Sequence, residues 1–277
     1  MPYATNGTAR LFWEETGAGS PLLLVMGHTY SSAMWYLVRD ELAQQHRVIT
    51  FDNRGTGKSS LMRKLSVGDM AADAFAVMEA AGVDSAHLYG VSMGGGIILE
   101  MARQHPERVR SLILGCTRAK TPDLPPAPLV LRALLRLPGP VITWMLKRMA
   151  AKKTTHGYGT KAPLDRVERD RAVLAANDCH VRSKVAQSRA IANYSITEAE
   201  VRALSMPTLV LHGDEDEAVP YDAGVALHQL IAHSELVTFP GAGHNYFIAA
   251  GDEANDVVRR FLADIDSNDA AQVGTPR

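Results

Sequence analysis

A doubly wound, mostly parallel α/β sheet with an inserted helical lid is the fold predicted for this 277-residue chain, on three observations. Short apolar runs recur along it, amphipathic segments lie between many of them, and the alternation lapses once, between Thr117 and Thr197. Apolar runs without polar alternation suit strands covered on both faces, as parallel strands are. Strands that alternate with helices build a doubly wound sheet.

The first runs are "PLLLVM" (21–26) and "RVITF" (47–51). From Asp69 to Ala81 a helix is expected, with Met70, Ala74, Val77, Met78 and Ala81 on one face. Ser66, three residues before Asp69, has the spacing of an N-cap box, and Gly82 that of a C-cap. "AHLYGV" (86–91) follows, then "GGIILEMARQH", a helix that ends before Pro106, then "SLILGC" (111–116). Residues 1–116 are thus the first part of the core.

Residues 117–197 open with "TPDLPPAP" and continue as an amphipathic pair split at Pro138, which holds Trp144, Met145, Leu146 and Met149. Two helix-like pieces follow, near Leu164–Asn177 and Val181–Ile191, so the stretch is assigned as a helical lid between two strands. The sheet resumes at "TLVLH" (208–212) and "ELVTF" (235–239). Val257, Val258, Phe261, Leu262 and Ile265 form the stripe of a last helix, which closes the second core part, 198–265. Residues 266–277, "DSNDAAQVGTPR", are polar and expected to be disordered.

A net charge of −1 with 46% hydrophobic residues carries no basic stripe for nucleic acid and no acidic tail. The longest apolar stretch, Leu129 to Ala151, is broken by Arg132, Arg136 and Pro138-Gly139-Pro140, a poor membrane span. The N-terminus has no charged head before an apolar run, so no signal peptide is expected. Cys116 and Cys179 fit no metal spacing and are too few for a disulfide framework, so a reducing, cytoplasmic setting is expected.

The chemistry is signalled first by "YGVSMGGG", in which Gly90-Val91-Ser92-Met93-Gly94 has the form G-x-S-x-G between a strand and a helix. A serine at so tight a turn is strained, and a Cβ at Gly90 or Gly94 would meet backbone. The turn projects the Ser92 hydroxyl and aims the Met93 N–H at a developing oxyanion, with the helix N-terminus behind it. A weak hydroxyl needs a base, and the base an orienting acid. Of ten histidines, His244 stands in a glycine-flanked loop, "FPGAGHNYF", after the run at 235–239, where a parallel sheet opens its carboxyl edge. The acid is sought in "LVLHGDEDEAVP", where Asp216 and Asp214 both remain candidates on the residues alone. "DNRGTGKSS" ends like a phosphate-binding loop, yet Asp52 stands where that loop needs its first glycine.

"VMGH", "DNRGTGKS", "GVSMGG", "GDEDEAVP" and "GAGH" together resemble the α/β-hydrolase superfamily, as does the chain order Ser92, Asp216, His244. The resemblance covers the chain outside 117–197 and the tail. It implies Asp216 as the acid, three residues past Gly213 and four before Pro220. It also implies a scaffold role for the loop of Asp52, Arg54, Gly55, Gly57 and Ser59. Where relatives carry His-Gly, this chain has Met26-Gly27-His28, so the His28 backbone N–H takes the second oxyanion position.

The expectation is a serine hydrolase acting on a small, rather apolar ester or lactone, with no metal or organic cofactor. Carbon–carbon bond hydrolases and cofactor-free haloperoxidases share the same three residues, and some relatives bind a ligand with little turnover.

Overall fold

The computed structural model describes residues 2–62, 64–119, 157–177 and 179–273. Eight strands make one sheet: β1 (Tyr3–Asn6), β2 (Ala9–Thr16), β3 (Ser20–Val25), β4 (His46–Phe51), β5 (Ala86–Val91), β6 (Val109–Gly115), β7 (Thr208–Gly213) and β8 (Ser234–Phe239). Their order across it is β1-β2-β4-β3-β5-β6-β7-β8. From β4 to β8 every pairing is parallel, while β1 and β2 pair antiparallel and β2 joins β4 antiparallel, Trp13 opposite Phe51.

The six apolar runs therefore became the six parallel strands. The β1–β2 hairpin is additional. It turns at Gly7-Thr8, where Gly7 takes φ 57, and β2 alternates buried and exposed residues along part of its length. Glycine at the first position of a two-residue loop is a hairpin signal, but a half-exposed pair lacks the continuous apolar run that marks the other strands.

Period-two geometry explains why the central strands read as unbroken apolar runs. Leu23 and Val25 of β3, Ile49 and Phe51 of β4, and Leu88 of β5 pack on one face of the sheet. Leu22 and Leu24, Val48, and Tyr89 with Val91 pack on the other. The first face is covered by α2 (Val67–Ala80) and α3 (Met93–Gln104). On the second face lie Val258, Phe261, Leu262 and Ile265 of the C-terminal helix. At the start of α2 the Ser66 hydroxyl accepts from the Asp69 N–H at 3.0 Å, and Asp69 accepts from the Ser66 N–H at 2.9 Å. Gly82, at φ 66, follows its end.

Short α1 (Arg39–Leu42) precedes β4. Between β6 and β7 come α4 (Leu164–Ala176), α5 (Val181–Ala192) and α6 (Glu198–Arg202). The split pair about Pro138, with Trp144, Met145, Leu146 and Met149, lies outside the described residues. After β7 come α7 (Tyr221–Leu230), β8, α8 (Tyr246–Ala249) and α9 (Gly251–Val273). No described helix is long and apolar enough to cross a membrane.

One expectation needs correction. The stretch from Asp266 to Val273 is not a disordered tail but continues α9. Asp266 accepts hydrogen bonds from Ser20 at 2.5 Å and from Arg110 at 2.7 Å, and its Oδ1 lies 3.1 Å from His87 Nε2. These three partners sit near the starts of β3, β5 and β6, so one carboxylate ties the helix to three adjacent strands. Polar composition alone could not reveal such distant partners.

His46 also faces Asp266, at 3.5 Å, and both histidines are buried. Burial, and then the nearby Arg110 charge, pull His87 down to about 4, against the opposing pull of Asp266. Burial likewise lowers His46, again with Asp266 opposing. An unfolded histidine titrates near ~6.5, so the unfolded chain takes up these protons first as pH falls. Their stabilisation is therefore complete above that pH and is lost toward about 4. Urea midpoints should decline through this window, and His87→Gln should flatten the decline. An unchanged slope in that variant would remove His87 as a cause.

Candidate active site

Ser92 stands between β5 and α3 with φ 57 and ψ −117. A non-glycine residue in such a region costs on the order of 1–3 kcal/mol and persists only where neighbours hold it. The Ser92 N–H donates to Gly115 O at 2.8 Å, and the Thr117 hydroxyl donates to Ser92 O at 2.7 Å. A Cβ on Gly94 would lie 2.0 Å from Val25 O, and one on Gly90 2.4 Å from Gly94 O. Both obstacles are backbone, so glycine is required twice. Met93 begins α3, where the first N–H groups of a helix have no intrahelical partner.

Ser92 opens into a cavity of about 410 Å³ shared with Met93, His28, Ile191, Tyr194 and His244. His244 follows β8, and its Nδ1 is 2.8 Å from Asp216 Oδ2. A carboxylate can only accept, so this contact assigns the proton to Nδ1 and leaves Nε2 as an acceptor. The other Asp216 oxygen accepts from the N–H groups of Ala218 and Val219, both at 2.8 Å. Burial alone would raise the Asp216 pKa. Hydrogen bonds with His212 and His244, and the Val219 N–H, overcome it and hold the group well below the usual carboxylate range.

Within the acidic run, Asp216 is the carboxylate that meets His244. Asp214 accepts from the Gly241 N–H at 2.6 Å, and Glu215 accepts from the Thr160 N–H and hydroxyl, each at 2.7 Å. Neither takes the place beside His244 that Asp216 occupies. The "DNRGTGKSS" loop is also explained. Asp52 accepts from the Ser32 and Lys58 N–H groups at 2.8 Å, so its carboxylate takes the N–H before Ser59 that a phosphate-binding loop would offer its ligand. A Cβ on Gly57 would fall 2.0 Å from Asp52 Oδ2.

The loop of Met26, Gly27 and His28 runs beside the serine, since a Cβ on Gly27 would come within 3.3 Å of the Ser92 Cβ. Burial lowers the His28 pKa, so its imidazole is neutral near pH 7, with Nε2 3.1 Å from Lys184 O. Thr29 has φ 68, a rare conformation for a β-branched residue. Its N–H donates to the Gln187 side-chain oxygen at 2.8 Å.

Gln187 is one residue that sequence reasoning missed. A polar residue in an amphipathic helix reads as solvated, although its spacing from Lys184, Ser188 and Ile191 marks a common face. His212, buried beside Asp216, was hidden by its place in an apolar strand. Cys116 has no metal spacing in the sequence, yet its sulfur and one ligand atom each of Asp216 and His244 lie within 4.8 Å of one another. Burial, and then Asp216, push the Cys116 thiol well above its ordinary pKa.

Residues 20–250 match the family model described as the alpha/beta hydrolase fold. The chain belongs to this family. A protein of Azorhizobium caulinodans named as a carbamate hydrolase, RutD, is 30% identical over 96% of this chain and 100% of its own length. The 2-hydroxymuconate semialdehyde hydrolase of Pseudomonas sp. (strain CF600) is 31% identical, over 91% of this chain and 90% of its own. Among solved structures, an esterase from Thermogutta terrifontis superposes with a TM-score of 0.80 at 27% identity, covering 95% and 97% of the two chains. This α/β hydrolase is accordingly an enzyme of the hydrolase class, and the names of its relatives differ in the substrate.

For this α/β hydrolase the elbow glycines should be intolerant. Gly90→Ala must displace backbone and should cost about 2 kcal/mol or more, as overpacking does. Urea unfolding measures it, and a loss below ~0.5 kcal/mol, the range of a neutral surface change, would refute the close approach.

Proposed function

We propose that this enzyme is a serine hydrolase that cleaves a carboxylic ester or lactone of a small, rather apolar substrate through an acyl-enzyme. One juxtaposition supports this reading above all. The strained Ser92 and the Asp216-paired His244 share one cavity, which Met93 and His28 also line. Met26, Val67, Val91, Ile191 and Phe247 give that cavity apolar walls. α5, which supplies Ile191, is assigned to a lid.

In the proposed reaction the Ser92 Oγ attacks the substrate carbonyl as its proton passes to His244 Nε2. The carbonyl electron pair moves onto oxygen, where the N–H groups of Met93 and His28 hold it. Asp216 stabilises the imidazolium and keeps its Nδ1 proton in place. Collapse of the tetrahedral species expels the alcohol, which takes the proton from His244. Water then gives a proton to His244 and its oxygen to the acyl carbon, and a second collapse returns Ser92 and releases the acid. No step needs an external oxidant or reductant.

A carbon–carbon bond hydrolase using the same three side chains is the second reading, favoured by the 31% identical relative named for 2-hydroxymuconate semialdehyde. Esters and lactones of graded chain length, assayed beside a vinylogous keto acid, separate the two. Prompt turnover of short esters with none of the keto acid supports the esterase reading, and the reverse overturns it.

On the ester substrate, Ser92→Ala should lower kcat about 10⁶-fold with the fold retained. Asp216→Asn should lower it ~10⁴-fold by favouring the wrong imidazole tautomer. Retention of most activity in Ser92→Ala would end the proposal. Comparable damage from Asp214→Asn alone would move the acid.

A further inference from the structure

Two consecutive residues beside the serine elbow, His28 and Thr29, are held by one face of α5. His28 Nε2 lies 3.1 Å from Lys184 O and 3.0 Å from the Ser188 hydroxyl. One residue on, the Thr29 N–H donates to the Gln187 side-chain oxygen at 2.8 Å. The Gln187 amide nitrogen donates to Arg54 O at 2.9 Å, and the side chain is fully buried. Gln187 therefore bridges two loops that start from different strands, using its acceptor for one and its donor for the other.

The far end of the bridge is rigid. Arg54 forks onto the buried Asp73 through Nε and Nη2, and Asp73 also accepts from Asn6 at 2.8 Å. Gly55 leaves room for α5, since a Cβ there would meet the Ser183 side chain at 2.4 Å. The near end is strained, because Thr29 sits at φ 68. The Thr29 N–H belongs to the His28–Thr29 peptide, which shares the His28 Cα with the Gly27–His28 peptide that carries the His28 N–H. If Thr29 relaxed to negative φ, the His28–Thr29 peptide would swing away from Gln187, shift the His28 Cα and so displace the neighbouring His28 N–H.

We infer that Gln187 is a positioning residue for the oxyanion site: by holding Thr29 in its strained conformation against Arg54, it orients the His28 N–H toward the cavity. This rests on the proposed role of His28, and it ties the inserted helix α5 to the rate of the chemical step and not to substrate affinity alone. A donor matters only if it points to where the oxyanion forms, so a displaced donor lowers kcat more than it raises KM.

The test is a double-mutant cycle on a short p-nitrophenyl ester, with rates normalised to serine labelled by a fluorophosphonate. Gln187→Met keeps the length of the side chain and removes both hydrogen bonds. It should lower kcat about tenfold or more, with KM within about twofold, since loss of a whole oxyanion donor costs 10²–10³. Thr29→Gly removes the Cβ that opposes positive φ, so the loop no longer depends on the pin. In the Thr29→Gly background the loss caused by Gln187→Met should shrink to about threefold or less, the signature of coupled sites. Gln187→Glu gives a second variant, which keeps an acceptor for Thr29 and loses the donor to Arg54, and should fall between the two.

Equal losses from Gln187→Met in both backgrounds, or a loss confined to thermal stability with kcat unchanged, would overturn the inference. Neither result would touch the serine-hydrolase reading, which the Ser92→Ala control tests separately.

Discussion

A backbone crowded to its limit is what the rest of the site depends on. Gly94 leaves no room for a Cβ against Val25 O, and Gly90 leaves none against Gly94 O, so strands β3 and β5 meet helix α3 at distances that only glycine allows. The residue between them, Ser92, must then take φ 57. Its carbonyl is held by the Thr117 hydroxyl, and its N–H by Gly115 O. β6 and the residues just beyond it thereby hold a strain that β5 alone would release. The same geometry that strains the serine sets its hydroxyl on a cavity wall and places the first turn of α3 beside it.

Electrostatics follows from where the strands end. Asp216 and His244 come from loops after β7 and β8, neighbours in the sheet, and their contact needs no long reach. Burying a carboxylate is costly unless its lone pairs are satisfied. Asp216 is satisfied by two backbone N–H groups and by two histidines, which keeps it ionised and the His244 tautomer fixed. Around this pair burial keeps the Cys116 thiol and the Tyr246 phenol neutral, while Arg118, which also lines the cavity, sets a positive charge against Asp216.

Much of this was legible in the residues because it is local. Apolar runs disclosed the six parallel strands, and Ser66 with Asp69 disclosed the start of α2. G-x-S-x-G disclosed the elbow because the steric demand falls within five residues. The choice of Asp216 over Asp214 was not local, since both stand in one acidic loop and only the position of His244 distinguishes them. It came from resemblance, and the 2.8 Å contact gives it a physical basis. What stayed hidden depends on distant partners. Asp266 reads as part of a polar tail until Ser20, His87 and Arg110 are brought to it. Gln187 reads as solvated until α5 lies against two loops. The β1–β2 hairpin escaped for a different reason, being half-exposed and so lacking the continuous apolar signal.

The central claim is that a strained serine, a carboxylate-paired histidine and two backbone N–H groups converge on one point in the cavity. A crystal structure of the fluorophosphonate-treated enzyme tests it most directly. The account predicts phosphorus bonded to Ser92 Oγ, with the phosphoryl oxygen about 3 Å from the N–H groups of Met93 and His28. Phosphorus on another side chain, or a phosphoryl oxygen turned away from both donors, would contradict it.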